Sequence, residues 1–259
     1  MKNNPDQLCV LMYHGIVTEW TPLPKEREAG ADLYDVPLNN FQKHMQLLNE
    51  NGYTTGILNE ELIEQNTKKV VLTFDDGEMN NFEHAFPVLK KHGYPAYFFI
   101  IAKRVGLKGY MGWDELRELH RCGMVIGSHG FSHEILTSLL DTQIEEELRA
   151  SKKYLERNLG IEVDTFSIPR GFCDDNVIQK AYNAGYKRIF ISSRPRKLQS
   201  DCYSRLAVKA HWPLKRFEQA LDGSIPFNEK MIDLTKSAAK KIFGSGLYNW
   251  TRRTLLKIK

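Results

Sequence analysis

Short apolar runs alternate along this chain with longer segments whose apolar residues recur at helical spacing. The runs at 8–13, 70–74, 96–102, 124–128, 165–168, 187–193 and 205–208 predict buried strands. Between them, 38–52, 80–92, 114–123, 141–160, 174–185 and 213–223 predict helices. Phe41, Met45 and Leu48 share one face of the first helix, as do Ile144, Leu148, Leu155 and Leu159 of the fourth. Gly52, Gly93, Gly123 and Gly160 stand where four of these segments stop. An asparagine, Asp114 and Asp141 are the predicted caps of the first, third and fourth helices. Pro87 predicts either a kink or the first turn of a second helix within 80–92, and Pro213 the first turn of the last one.

Strands alternating with helices imply a parallel sheet covered by helices. About seven such units over about 220 residues favour a closed or nearly closed α/β barrel, with an open doubly wound sheet as the alternative. In both, the loops after the strand C-termini build the site. The expected division is a catalytic domain over 1–225 and a C-terminal helical extension over 226–259.

Composition narrows the class. The 259 residues are 42% hydrophobic and 11% aromatic, enough for one sizeable core. Four dispersed cysteines (Cys9, Cys122, Cys173, Cys202) suit reduced thiols better than a disulfide framework. No basic-then-apolar leader opens the sequence and no run is long enough to span a membrane, so a cytoplasmic enzyme is expected. Of the net charge of +4, residues 229–259 carry +6 (eight Lys or Arg, two acidic), leaving −2 for the rest. A nucleic-acid groove across the main domain is therefore not expected. The basic tail reads as two amphipathic helices broken at Gly244-Ser245-Gly246, with Trp250 on an apolar face. It suits either peripheral contact with an anionic membrane, on the inner face, or packing on the barrel.

Chemistry concentrates at strand ends. VVLTFDDG (70–77) places Asp75 and Asp76 after an apolar run, with Gly77 letting the backbone turn. Alone, this pattern also fits a turn with a helix cap. IGSHGFSH (126–133) follows another strand and offers His129 and His133, a spacing that suits a shared metal. Two imidazoles and a carboxylate leave a coordination position open, the catalytic arrangement for zinc and similar ions. His14, in LMYHGI (11–16), ends the first strand and in a barrel would face the same site.

TFDDG (73–77), SHGFSH (128–133) and the Pro-x-Gly at 169–171 resemble the successive motifs of polysaccharide deacetylases of the NodB-homology type, carbohydrate esterase family 4. The resemblance covers roughly residues 8–215, and YHGI (13–16) resembles the branch that includes poly-N-acetylglucosamine deacetylases. It implies a distorted (β/α) barrel of about seven units and hydrolysis of an N-acetyl group on a sugar, releasing acetate. It further implies one divalent ion on Asp76, His129 and His133, Asp75 as general base and His14 as general acid. Zinc is the expected metal, with nickel, cobalt and iron compatible with the same ligands. The implied partner is an N-acetylated glycan or lipid-linked glycan intermediate, and no nucleic acid.

Three departures from the family pattern qualify this expectation. Ser167 occupies the position where the third motif usually carries an Arg that orients the catalytic Asp, and Arg170 is the candidate to supply that charge instead. Gly130 replaces a Ser or Thr whose hydroxyl would brace the loop. No clear aromatic motif shapes an acetyl pocket; Trp212 and Trp113 are the nearest candidates. These departures keep two alternatives open: a glycan-binding pseudoenzyme, and a hydrolase of another amide or of an O-acetyl ester.

Overall fold

The computed structural model describes residues 8–223 except 29, 60, 61, 63–66 and 193–200. The C-terminal extension predicted at 226–259 lies outside the described residues. The chain opens with β1 (Leu8–Tyr13), then β2 (Ile16–Val17), β3 (Val36–Pro37), α1 (Leu38–Glu50), β4 (Thr54–Thr55) and β5 (Lys69–Phe74). It continues through α2 (Phe86–His92), β6 (Ala96–Ile100), α3 (Trp113–Arg121), β7 (Val125–Ser128), α4 (Asp141–Leu159) and β8 (Thr165–Ser167). The last elements are α5 (Asp175–Asn183), β9 (Arg188–Ile191), β10 (Cys202–Ser204), β11 (Leu206–Ala207) and α6 (Leu214–Leu221).

All the main-sheet pairings among the described residues are parallel, in the order β10-β9-β8-β7-β6-β5-β1-β11, with β4 beside β5. The two ends of that path are joined through a single residue, Arg205. One extended segment thus pairs with β9 by its first half and with β1 by its second, which brings the sheet round into a nearly closed barrel. If β10 and β11 count as one position, the eight-strand path has the seven positions that the sequence predicts.

Strand alternation sorts side chains onto two faces. Leu11, Leu72, Phe98 and Ile189 belong to the large core beneath the helices. Their strand neighbours Val10, Val71, Tyr97, Phe99 and Phe190 form a second, inner core, which Leu58 and Leu62 join. At Gly127 an added Cβ would lie 2.5 Å from the ring of Phe99, so glycine here makes room for the aromatic filling of the barrel. Continuing the inner alternation to the C-terminal strand ends reaches His14, Asp75, His129, Ser167 and Arg205. Strand geometry alone therefore gathers these polar residues at one mouth.

Several helix starts differ from the expectation. Pro37, not an asparagine, precedes α1. At α3 the cap is Gly112, whose amide donates to Glu115 at 2.8 Å, and Asp114 lies inside the first turn. Leu140 precedes α4 and its amide donates to Gln143, freeing Asp141 to accept from Asn176 and pair with Lys180. Each of these helices starts earlier than its predicted cap implies, so the expected cap lies inside the first turn. At Gly112 and Leu140 the side chain three residues on accepts from the cap's own amide. Pro87 takes the second of the two places predicted for it, the first turn of α2, into which a π-type turn at Asn81–Ala85 runs directly.

Candidate metal centre and active site

The turn after β5 begins at Asp76 itself. Asp76 and Gly77 both have left-handed backbone (φ 74° and 73°), so the two neighbouring carboxylates leave the strand in different directions yet stay in one pocket. Among the described residues only three other than glycine have positive φ: Asp76, His133 and Arg170. All three stand at this mouth. Such conformations cost about 1–3 kcal/mol each and persist where the surroundings impose them, commonly at functional sites.

Asp76, His129 and His133 are buried and converge. Oδ1 of Asp76 lies 3.6 Å from Nε2 of His129 and 3.5 Å from Nε2 of His133, and it has no hydrogen-bond partner. A buried carboxylate oxygen facing two imidazole nitrogens without donors suits a divalent cation, and the donor set matches a three-ligand zinc site. Both rings are turned to offer Nε2, because each Nδ1 is already engaged. His129 Nδ1 donates to the Ser167 carbonyl at 2.9 Å, and His133 Nδ1 lies 2.7 Å from a carboxylate oxygen of Glu28. Burial, partly opposed by Asp75, brings the pKa of His129 down to about 4, so its ring is neutral and able to ligate.

Asp75 faces a different set of partners. Arg205 donates to its two oxygens at 2.7 and 2.8 Å, and also donates to Thr73 Oγ1 and Ser167 Oγ. Burial alone would raise the Asp75 pKa; the Arg205 guanidinium, helped by His129 and His14, holds it well below the usual carboxylate range. Ser167 occupies the expected arginine position, and the arginine that serves Asp75 comes from the closing strand. Arg170 does not supply that charge: it pairs with Glu28 at 3.5 Å. The reason is directional, since Arg170 follows Pro169 in a left-handed turn outside β8, whereas Arg205 points into the barrel.

His14 follows β1 next to the point where the Asp75 amide donates to the Tyr13 carbonyl at 3.0 Å. Its ring stacks on Tyr34 at 4.9 Å, and its Nδ1 is buried without a hydrogen-bond partner. The structure therefore brings His14, Asp75, Asp76, His129 and His133 to one mouth, and places Arg170 at its edge.

The loop carrying both histidines is braced without a hydroxyl at Gly130. Glu147 of α4 accepts from the Phe131 and Ser132 amides at 3.0 Å each and from Ser132 Oγ. Ser128 Oγ accepts from the Gly130 amide at 3.2 Å. Trp212 is buried below Arg216 of α6, and Trp113 packs half-buried against Tyr154.

Residues 18–35 supply what sequence patterning missed. The parallel pairing of β2 with β3 makes this segment leave and return at one place beside the mouth. It is fixed there by Arg27, which pairs with Asp35 and Glu78, and by Thr21, hydrogen-bonded to His84. Burial pushes the Glu78 carboxyl up to about 7, against the pull of Arg27. For Glu28, burial is outweighed by His133 and Arg104, which hold its carboxylate well below the usual range. Nothing in the polar run PKEREAG marks Glu28 as part of a site. Arg205 did carry a signal: a lone arginine in an otherwise strand-like segment must find a buried partner.

A family model described as polysaccharide deacetylase matches residues 63–189, which hold Asp75, Asp76, His129 and His133. The YxkH protein of Bacillus subtilis (strain 168) is 31% identical over 189 residues, covering 71% of this chain and 63% of that one. The poly-beta-1,6-N-acetyl-D-glucosamine N-deacetylase of Staphylococcus aureus (strain MRSA252) is 27% identical over 173 residues, 60% of each chain. This chain thus spans less than two thirds of the length of these curated relatives. Among solved structures, the polysaccharide deacetylase BC0361 from Bacillus cereus matches with a TM-score of 0.69 and 27% identity, covering 83% of this chain and 68% of that one.

Proposed function

This chain belongs to the polysaccharide deacetylase family, and from that premise we propose that it is a metal-dependent hydrolase removing an N-acetyl group from a sugar of a glycan. The observation that carries the proposal is the pairing of two neighbouring carboxylates with opposite surroundings. Asp76 presents an unpartnered oxygen to two imidazoles, while Asp75 is clamped by Arg205. One carboxylate is arranged to bind a cation and the other to stay ionised beside it.

Asp76, His129 and His133 would hold the ion, with zinc the best match to the donor set. When bound, it supplies Lewis acidity for the amide carbonyl and for water. Asp75 takes the proton from the water whose oxygen adds to the acetyl carbon. His14, with Tyr34 against its ring, gives a proton to the departing nitrogen as the carbon–nitrogen bond breaks. The products are acetate and a free amine on the sugar. Arg205 keeps the Asp75 oxygens in place, and its Nη1 and Nη2 also donate to Thr73 and Ser167. The curated relative whose name specifies poly-β-1,6-N-acetylglucosamine makes a β-1,6-linked oligomer the first substrate to test.

The two departures that favoured a binding module have counterparts elsewhere: Arg205 stands in for the arginine missing at Ser167, and Glu147 for a hydroxyl at Gly130. The test is acetate release from N-acetylglucosamine oligomers by zinc-loaded protein, parent against Asp75→Asn. Release by the parent, reduced about 10²–10⁴-fold in the variant, supports the proposal. Equal release from both would remove Asp75 as the base.

A further inference from the structure

We propose that Glu28 is a positioning residue that fixes the tautomer and basicity of His133 for the ion held with Asp76 and His129. The inference deepens the metal-site reading given above and rests on it. An imidazole binds a cation through a nitrogen that carries no proton, so its other nitrogen must keep one. For His133 the proton-bearing nitrogen is assigned by its partner. Nδ1 lies 2.7 Å from Glu28 Oε1, an acceptor, which leaves Nε2 bare and directed at Asp76 Oδ1, 3.5 Å away.

The two ligand histidines are fixed by unlike acceptors. His129 donates to a neutral backbone carbonyl, whereas His133 donates to a carboxylate. An anionic acceptor raises the electron density on the imidazole more than a neutral one, and so strengthens the bond from Nε2 to a cation. Glu28 is itself held in place. Arg104 Nη2 donates to the same Oε1 at 2.8 Å, and Arg104 is in turn steadied by the Tyr110 hydroxyl at 3.1 Å. Arg170 approaches Oε1 at 3.5 Å. Glu28 therefore ties three separate pieces of the mouth to the arm of residues 18–35: the second histidine, the Pro-Arg-Gly turn, and the segment after β6 that carries Arg104. His133 also has left-handed backbone (φ 68°), uncommon outside glycine, which fixes where its ring leaves the loop.

The test measures zinc affinity of the metal-free full chain by competition with a chromogenic chelator, for the parent, Glu28→Ala and Glu28→Gln. Two-dimensional NMR of the imidazole nitrogens reports the His133 tautomer in the same samples. Glu28→Ala is expected to lose about 10–100-fold in zinc affinity and the single Nδ1-protonated signal. Glu28→Gln keeps an acceptor oxygen, so it should retain the tautomer and lose less affinity than the alanine variant. A merely structural role would lower the melting temperature of the metal-free chain while leaving zinc affinity and tautomer unchanged, and that result would overturn the inference. If Glu28→Ala does not fold, an unchanged zinc affinity in Glu28→Gln overturns it as well. Failure of the parent to bind zinc would instead remove the metal site, and the inference with it.

Discussion

Burial by itself would return the proton to Asp75, and the two hydrogen bonds from Arg205 prevent it. Breaking a buried ion pair by removing one partner leaves the other charge uncompensated, at a cost of about 3–5 kcal/mol. Arg205→Ala should therefore destabilise the fold by that amount in urea denaturation, and Arg205→Lys, which keeps a charge but not the fork, by less. A loss under about 1 kcal/mol in Arg205→Ala would mean that Asp75 is not held as the geometry indicates. This residue also marks the limit of the sequence at this scale. The adjacent carboxylates and the His129/His133 spacing were legible because both lie in short local patterns at strand ends. Arg205 is 130 positions from Asp75, and only barrel closure brings them together.

Elements hold the site through features that substitute for those expected. Gly130 has φ 79°, and a Cβ there would come 3.2 Å from Pro169. Gly130→Ser should cost about 1–2 kcal/mol, because strain would outweigh any gain from a hydroxyl in a loop that Glu147 already braces. A more stable Gly130→Ser variant in thermal melting would contradict this. Helix packing gives a second prediction, one of pH dependence. His44 of α1 is buried, hydrogen-bonded to Tyr13 and stacked on Phe217 of α6 at 3.9 Å; burial lowers its pKa from 6.5 to about 4. Between those values the unfolded chain binds a proton that the native state refuses. Stability should thus fall as pH drops from about 6.5 to about 4, by about 3 kcal/mol from this position. His44→Asn, which can still accept from Tyr13, should show a flatter slope; an unchanged slope would locate the dependence elsewhere. Strand and helix positions were legible from hydrophobic periodicity, but helix starts were not. Which of several nearby polar side chains reaches a free amide depends on chain direction before the helix, as at Gly112 and Leu140.

For the molecule as a whole, closure is the property from which the site follows. The sequence predicts one strand at 205–208, whereas the structure has a segment interrupted by Arg205 that pairs on both sides. That detail turns an open sheet into a barrel and inserts the guanidinium beside Asp75. The basic tail at 226–259 lies outside the described residues. Its sequence pattern suits either packing on the barrel or contact with an anionic membrane, of which we propose the second. Deleting 244–259 should abolish co-sedimentation with anionic vesicles and leave zinc binding unchanged; undiminished sedimentation would contradict that role. The central claim is the metal centre, and it is tested most directly by the metal content of purified protein, parent against His129→Ala. Our account predicts close to one divalent ion per chain in the parent and loss of that ion in the variant. Absence of any ion from both, even after incubation with zinc, nickel and cobalt, would contradict it.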